Sequence, residues 1–266
     1  MKTLPACAAF LTLLAAPAAH AASSDWFETE GARIRLVTTG KPDAEGKLRG
    51  VLDIELRPGW KTYWRDPGDS GVPPTLDISA NPNIASAVFD FPAPQRHDEG
   101  DFKWAGYDYS LALPVTFTLK DPAGSATIDA DVFLGVCETI CIPVQAQLTV
   151  DPASDASDPQ DRAAVAAALS EIPPAANPEF EITEVDQAGD GKVVLEATFP
   201  GNPESAELFI AGEEGYVFST PVRKQRDGKT FFAVEVTRPD EAANGAGLHY
   251  TLVTDAGAVN GLLPYF

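Results

Sequence analysis

Cys137 and Cys141 stand close together in the stretch GVCETICIPV, residues 135–144, and Cys7 is the chain's third cysteine. Two thiols at this spacing offer three chemistries: a structural staple, a metal clip, or a dithiol that exchanges with other disulfides. On one straight strand, residues four apart lie about 13 Å from each other at ~3.3 Å per residue. A disulfide needs Cα atoms closer than ~7 Å, so a bonded pair requires Glu138-Thr139-Ile140 to turn the chain back. The flanks DVFLGV and IPVQAQLTV alternate as two strands of a hairpin would.

As a staple, the bond would do little. Closing so short a loop contributes about 2 kcal/mol, against about 4.7 for a hundred-residue loop. A tight loop suits interconversion between dithiol and disulfide instead. A metal clip is poorly supplied: beyond the leading segment the chain has only His97 and His249, and Met1 is its sole methionine, well short of a tetrahedral set. Two thiolates alone can still hold copper(I). A hydrolytic cysteine would need a positioned histidine, and only His97 is on offer. The spacing leaves redox work, a structural disulfide and copper(I) open.

The elements that must carry this pair are β-strands. Residues 1–22 read as a signal peptide, with Lys2, the apolar AAFLTLLAA and a small-residue cleavage site at Ala19-His20-Ala21. That apolar run is shorter than the roughly 20 residues a bilayer requires. Cys7 is expected to leave with it. No later run is long enough to span a membrane, so the mature protein is expected to be periplasmic or otherwise exported and not membrane-spanning. The formal net charge of −20 argues against nucleic acid as a partner.

Period-two runs such as ARIRLVTT, LRGVLDIEL, YSLALPVTFTL and ATIDADVFLGV predict an antiparallel sandwich over residues 23–150. Residues 151–178 form a linker with one short helix, DPQDRAAVAAALSEI, capped by Asp158 with Pro159 in its first turn. From 179 to 266 the β pattern resumes in KVVLEATF, AELFIA, TFFAVEVT and LHYTLVT, with Asp-Gly turns at 190–191 and 227–228. The expected fold is all-β, two antiparallel sandwich domains, the second a spacing or docking module.

Three stretches together resemble the periplasmic N-terminal region of the DsbD/ScsB family of transmembrane disulfide reductases: RPGWKTYWRDPGDSGVPP (57–74), FPAPQRHDEGDFKWAGYDYSLALPV (91–115) and VCETICIPVQAQL (136–148). The ScsB-like branch, with its second β domain, is the nearer likeness. The resemblance implies immunoglobulin-like sandwiches and a redox-active pair, Cys137 and Cys141, with Cys141 forming the mixed disulfides. It places Tyr63 and Trp64 beside the cysteines and residues 98–102 on a capping loop, with Phe102 as lid. Asp98, Glu99 and Asp101 become candidate proton donors or acceptors. No bound cofactor is implied, since the disulfide carries the electrons.

The partners implied are a membrane electron-donor protein and periplasmic thioredoxin-like thiol-disulfide proteins. Family members continue into a membrane domain, so a separate donor is expected for a chain that stops at Phe266. With no basic residue beside Cys137 or Cys141 in sequence, and Glu138 adjacent, an ordinary-to-high thiol pKa is expected. Two rival readings use the same residues: a copper(I)-binding or copper-tolerance protein, and a non-catalytic interaction module with an inert disulfide.

Overall fold

The computed structural model describes residues 22–68, 71–100, 103–154, 158–189, 191–212, 215–239 and 247–265. Of the signal-peptide reading, residues 1–21 lie outside the described residues. Ala22, the last residue of that reading, is buried, and its carbonyl accepts from the Thr38 N–H at 2.8 Å.

The strands of the first body are β1 (Phe27–Glu28), β2 (Ala32–Thr38), β3 (Lys47–Leu56), β4 (Lys61–Gly68), β5 (Thr75–Asp77), β6 (Ile84–Phe89), β7 (Gln95–Asp98), β8 (Lys103–Tyr107), β9 (Leu111–Leu119), β10 (Ile128–Cys137) and β11 (Cys141–Val150). One sheet runs β1-β2-β3-β9-β6. The other runs β11-β10-β4-β8-β7, with β5 also on β10. Alternation decides which side chains meet between them. Ile34, Leu36, Leu48, Leu52 and Ile54 from the first sheet face Ile128, Val132, Leu134 and Val136 from the second, all buried in one core. Arg33 and Arg35, out of phase with the core set, pair with Glu55 and Asp53 on the outer face and hold the Trp26 ring at 4.3 and 4.4 Å.

Helix α1 (Pro159–Ser170) begins where the sequence predicts, with Asp158 Oδ1 accepting from the Gln160 N–H at 2.7 Å. It is more than a connector. Its Val165 and Ala168 pack on Val37 and Val51, the outward-facing residues of β2 and β3.

The second body contains β12 (Glu181–Gly189), β13 (Lys192–Thr198), β14 (Glu207–Ala211), β15 (Val217–Phe218), β16 (Val222–Arg226), β17 (Lys229–Thr237), β18 (Leu248–Thr254) and β19 (Gly257–Leu263). One sheet is β12-β13-β17-β15, with β16 also on β17, and the other is β14-β18-β19. The β16–β17 hairpin turns on Asp227 and Gly228, both at positive φ (53° and 76°), the backbone that Asp-Gly accepts most readily.

Strand β14 joins the two bodies. Leu208 and Ile210 enter the second core while Phe209 and Ala211 enter the first. Phe209 meets the edge of Trp64 at 5.9 Å between centroids and lies 4.4 Å from the Arg96 guanidinium carbon. Arg96 also donates to the Leu208 carbonyl at 3.0 Å.

Candidate functional site

Strands β10 and β11 pair without a shift from Ile128↔Val150 to Cys137↔Cys141. The two cysteines are therefore opposed where the hairpin closes, with Cα atoms 4.1 Å apart and a disulfide between them. The turn Glu138-Thr139-Ile140 projects into solvent, Ile140 being 72% exposed. The two sulfur-bearing residues differ in access: Cys137 is 1% exposed, whereas Cys141 is exposed.

Val136 points into the main core, so Cys137, one residue on, points out of the other face of the sheet. There it forms a small separate cluster with Tyr63 and Trp104. Tyr63 reaches this face from β4, where Thr62 is tied to the Gly135 carbonyl through its hydroxyl at 2.9 Å. The Tyr63 hydroxyl lies 2.9 Å from Cys137 Sγ and 3.1 Å from Cys141 Sγ. Bonded sulfurs carry no hydrogen, so the phenol is the donor and its proton is shared between them. Burial, then the nearby Glu99 charge, pushes the Tyr63 phenol above its ordinary value, which keeps it a donor at neutral pH.

Trp104 closes the cluster, its ring edge-on to Tyr63 at 5.8 Å. Its far side stacks on His97 at 3.8 Å, with the rings 7° from parallel. The Trp104 indole N–H donates to Glu99 Oε1 at 3.0 Å, and the same oxygen accepts from the Lys61 ammonium. Lys61 Nζ sits 4.6 Å from the Trp104 ring centroid. Lys61 is also the register partner of Cys137 across β4 and β10. No cation neighbours the cysteines along the chain; the lysine arrives across the ladder.

The residues expected at the site divide as follows. Cys137, Cys141 and Tyr63 come together. Trp64 does not join them: on a strand, neighbours point to opposite faces, so Trp64 is buried against Phe209 on the core side. Glu99 belongs to the cluster through Lys61 and Trp104. The Lys61 hydrogen bond, followed by that from Trp104, holds its carboxyl below the usual range. It is thus an acceptor, not a proton donor, at neutral pH. Asp98 pairs with Lys103 at 3.4 Å across the β7–β8 turn. The Gly100 N–H first, then Lys103, lowers its carboxyl too. Asp101 and Phe102, the latter read as a lid, lie outside the described residues. His97, weighed on sequence grounds as a metal ligand and as a partner for a hydrolytic cysteine, is a ring stacked behind Trp104.

Trp104 and Lys61 were missed from the sequence. Both sit at period-two offsets, from Gly106 and Tyr63 respectively, on strands whose pairing places them at Cys137. No group of three or more His, Cys, Asp or Glu suited to a metal occurs among the described residues. No helix among them is long and apolar enough to cross a membrane.

Chemically, the site can undergo nucleophilic displacement at sulfur. An incoming thiolate has access to the exposed Cys141, and the sulfur that leaves is buried Cys137, which faces the Tyr63 phenol and lies opposite Lys61 in the strand register. Hydrogen bonds to a developing thiolate are the stronger, charge-assisted kind.

Residues 36–152 match the family described as "Thiol:disulfide interchange protein DsbD, N-terminal". The fold is similar to that of the N-terminal periplasmic domain of ScsB from Proteus mirabilis, with a TM-score of 0.74 over 92% of this chain and 98% of that one, at 19% identity. No curated protein sequence matches the chain.

Proposed function

We propose that the first body, whose residues 36–152 match the DsbD N-terminal family, relays electrons in the periplasm by thiol-disulfide exchange through Cys137 and Cys141. The observation that carries this reading is the asymmetry of the pair: an exposed Cys141 bonded to a buried Cys137, with the Tyr63 hydroxyl within 3.1 Å of both sulfurs.

In the proposed step a partner thiolate attacks Cys141 Sγ. The Cys137–Cys141 bond breaks, a mixed disulfide forms at Cys141, and Cys137 departs with the electron pair as a thiolate. The second thiol of the partner, deprotonated, then attacks its own sulfur in the mixed disulfide and releases Cys141 as thiolate. The sum is protein disulfide plus partner dithiol giving protein dithiol plus partner disulfide, two electrons passing to this chain. The reverse sequence reduces a downstream disulfide. A membrane protein is the proposed source of electrons and thioredoxin-like periplasmic proteins the proposed recipients. The disulfide itself is the carrier, so the step needs no bound cofactor.

The test is equilibration of the protein across a series of dithiol and disulfide buffers, with free thiols counted by alkylation and mass. A reversible two-thiol transition is expected. A pair that stays oxidised throughout would support an inert disulfide instead. Copper(I) titration of the reduced protein in parallel distinguishes the metal reading: tight stoichiometric binding without reversible exchange would replace the relay with copper handling.

A further inference from the structure

The relay accounts for the two sulfurs and Tyr63 but gives no part to Lys61, whose side chain is only 13% exposed. A lysine so placed has given up most of its hydration, which is costly unless a partner compensates. Its partner in the disulfide state is Glu99, a residue of a different strand turn, whose own side chain is 52% exposed. Directly paired residues of an antiparallel ladder point the same way, with Cβ atoms about 4.5–5.5 Å apart. Lys61 and Cys137 are such a pair, and Tyr63, two residues along β4, shares their face.

We propose that Lys61 is a positioning residue that changes partner during exchange, held by Glu99 while the disulfide is closed and drawn to the Cys137 thiolate once Cys141 has entered a mixed disulfide. The proposal rests on the exchange reading and adds a regulating cation to it. Before exchange, the ammonium is paired with Glu99 and lies over Trp104. After exchange, a full negative charge appears on Cys137. An opposite charge within about 4–6 Å favours the ionised form of a thiol strongly. Lys61 then stabilises the leaving sulfur, and Glu99, released from one of its two donors, keeps its hydrogen bond from Trp104.

Among the described residues, the other titratable or charged groups around the pair are Tyr63 on β4, His97 behind Trp104 on β7, Glu99 and the Asp98–Lys103 pair at the β7–β8 turn, and Glu138 on the hairpin tip. Glu138 carries the wrong sign to stabilise a thiolate. Tyr63 donates one hydrogen bond but brings no charge. Lys61 is the cation whose strand position faces Cys137 directly.

The test uses the reduced mature chain carrying Cys141→Ser, so that Cys137 is the thiol observed, and follows thiolate absorbance against pH. Lys61→Met is expected to lower the thiolate fraction at neutral pH about tenfold, the scale of an ion pair of this kind. Lys61→Arg should restore it. Glu99→Gln should raise it, because Lys61 loses its competing carboxylate. A role limited to packing would shift Lys61→Met and Glu99→Gln in the same direction, or neither. Either result overturns the proposal. Should Lys61→Met not unfold cooperatively, the Glu99→Gln titration decides alone, and absence of a rise overturns the switch. The titration involves no partner, so its failure leaves the relay standing, and a failed redox equilibration leaves this result intact.

Discussion

The Tyr63 hydroxyl is within hydrogen-bonding distance of both sulfurs, 2.9 Å from Cys137 Sγ and 3.1 Å from Cys141 Sγ. A hydrogen bond to a thiolate is stronger than one to a disulfide sulfur, so this contact favours the open state more than the closed one. Removing it with Tyr63→Phe should slow reduction of the disulfide by about 10- to 100-fold, the equivalent of a charge-assisted hydrogen bond. The ring and its contact with Trp104 remain, so thermal unfolding should change little. Stopped-flow reduction by a small dithiol measures this, and an unchanged rate would remove Tyr63 from the exchange step.

Gly106 lets β8 approach β4 behind that tyrosine. A Cβ there would lie 2.3 Å from the Thr62 carbonyl oxygen and 2.9 Å from Tyr63 Cα. Both are backbone atoms and cannot swing away. Gly106→Ala should cost about 1–3 kcal/mol by overpacking, and should also disturb Tyr63. A variant with unchanged Tm and unchanged reduction rate would contradict the close packing of these strands.

The junction on the opposite face depends on Phe209, 2% exposed between Trp64 and Arg96. Phe209→Ala should destabilise by about 3–5 kcal/mol, as expected for a truncated buried aromatic. If β14 ties the two bodies together, urea unfolding of this variant should separate into two transitions. A single transition at the original midpoint would show that Phe209 contributes little.

His97 predicts a pH dependence. Burial is the main cause that lowers its imidazole below the ordinary value, so the folded protein resists protonating it more than the unfolded chain does. For a depressed folded pKa, the contribution is whole above the unfolded value of about 6.5 and is lost as pH falls through the folded one. His97→Phe keeps a ring on Trp104 and removes the titration. Its Tm should fall less than that of the parent between about pH 7 and about pH 5. Equal slopes would mean that other groups carry the acid sensitivity.

Much of this site is legible in the sequence, and what is not has a common cause. The hairpin follows from two cysteines too far apart to bond on a straight strand, flanked by alternating residues, and the Asp158-Pro159 helix start follows from capping chemistry. The pairing of β4 with β10 does not follow. KTYWRDPG contains a proline and an acidic residue and gives little strand signal, yet it supplies Lys61, Tyr63 and, on the reverse face, Trp64. Without that register, Tyr63 and Trp64 look equivalent. Phe209 illustrates the same limit: AELFIA reads as a strand, but nothing local says that alternate residues of it enter different cores.

The short loop between the cysteines makes the disulfide a minor support. Cys137→Ala/Cys141→Ala should remain folded, with a loss of about 2 kcal/mol. Circular dichroism of an unfolded chain at room temperature would favour a structural staple over a redox pair.

The central claim is that the pair exchanges through Cys141 with Cys137 as the leaving sulfur. Its most direct test is to react the reduced single variants Cys137→Ser and Cys141→Ser separately with glutathione disulfide, following mixed-disulfide formation by mass. Cys137→Ser, which keeps the exposed Cys141, should form the adduct readily and hold it. Cys141→Ser, left with the buried Cys137, should form it far more slowly. Equal rates, or faster reaction at Cys137, would contradict the account.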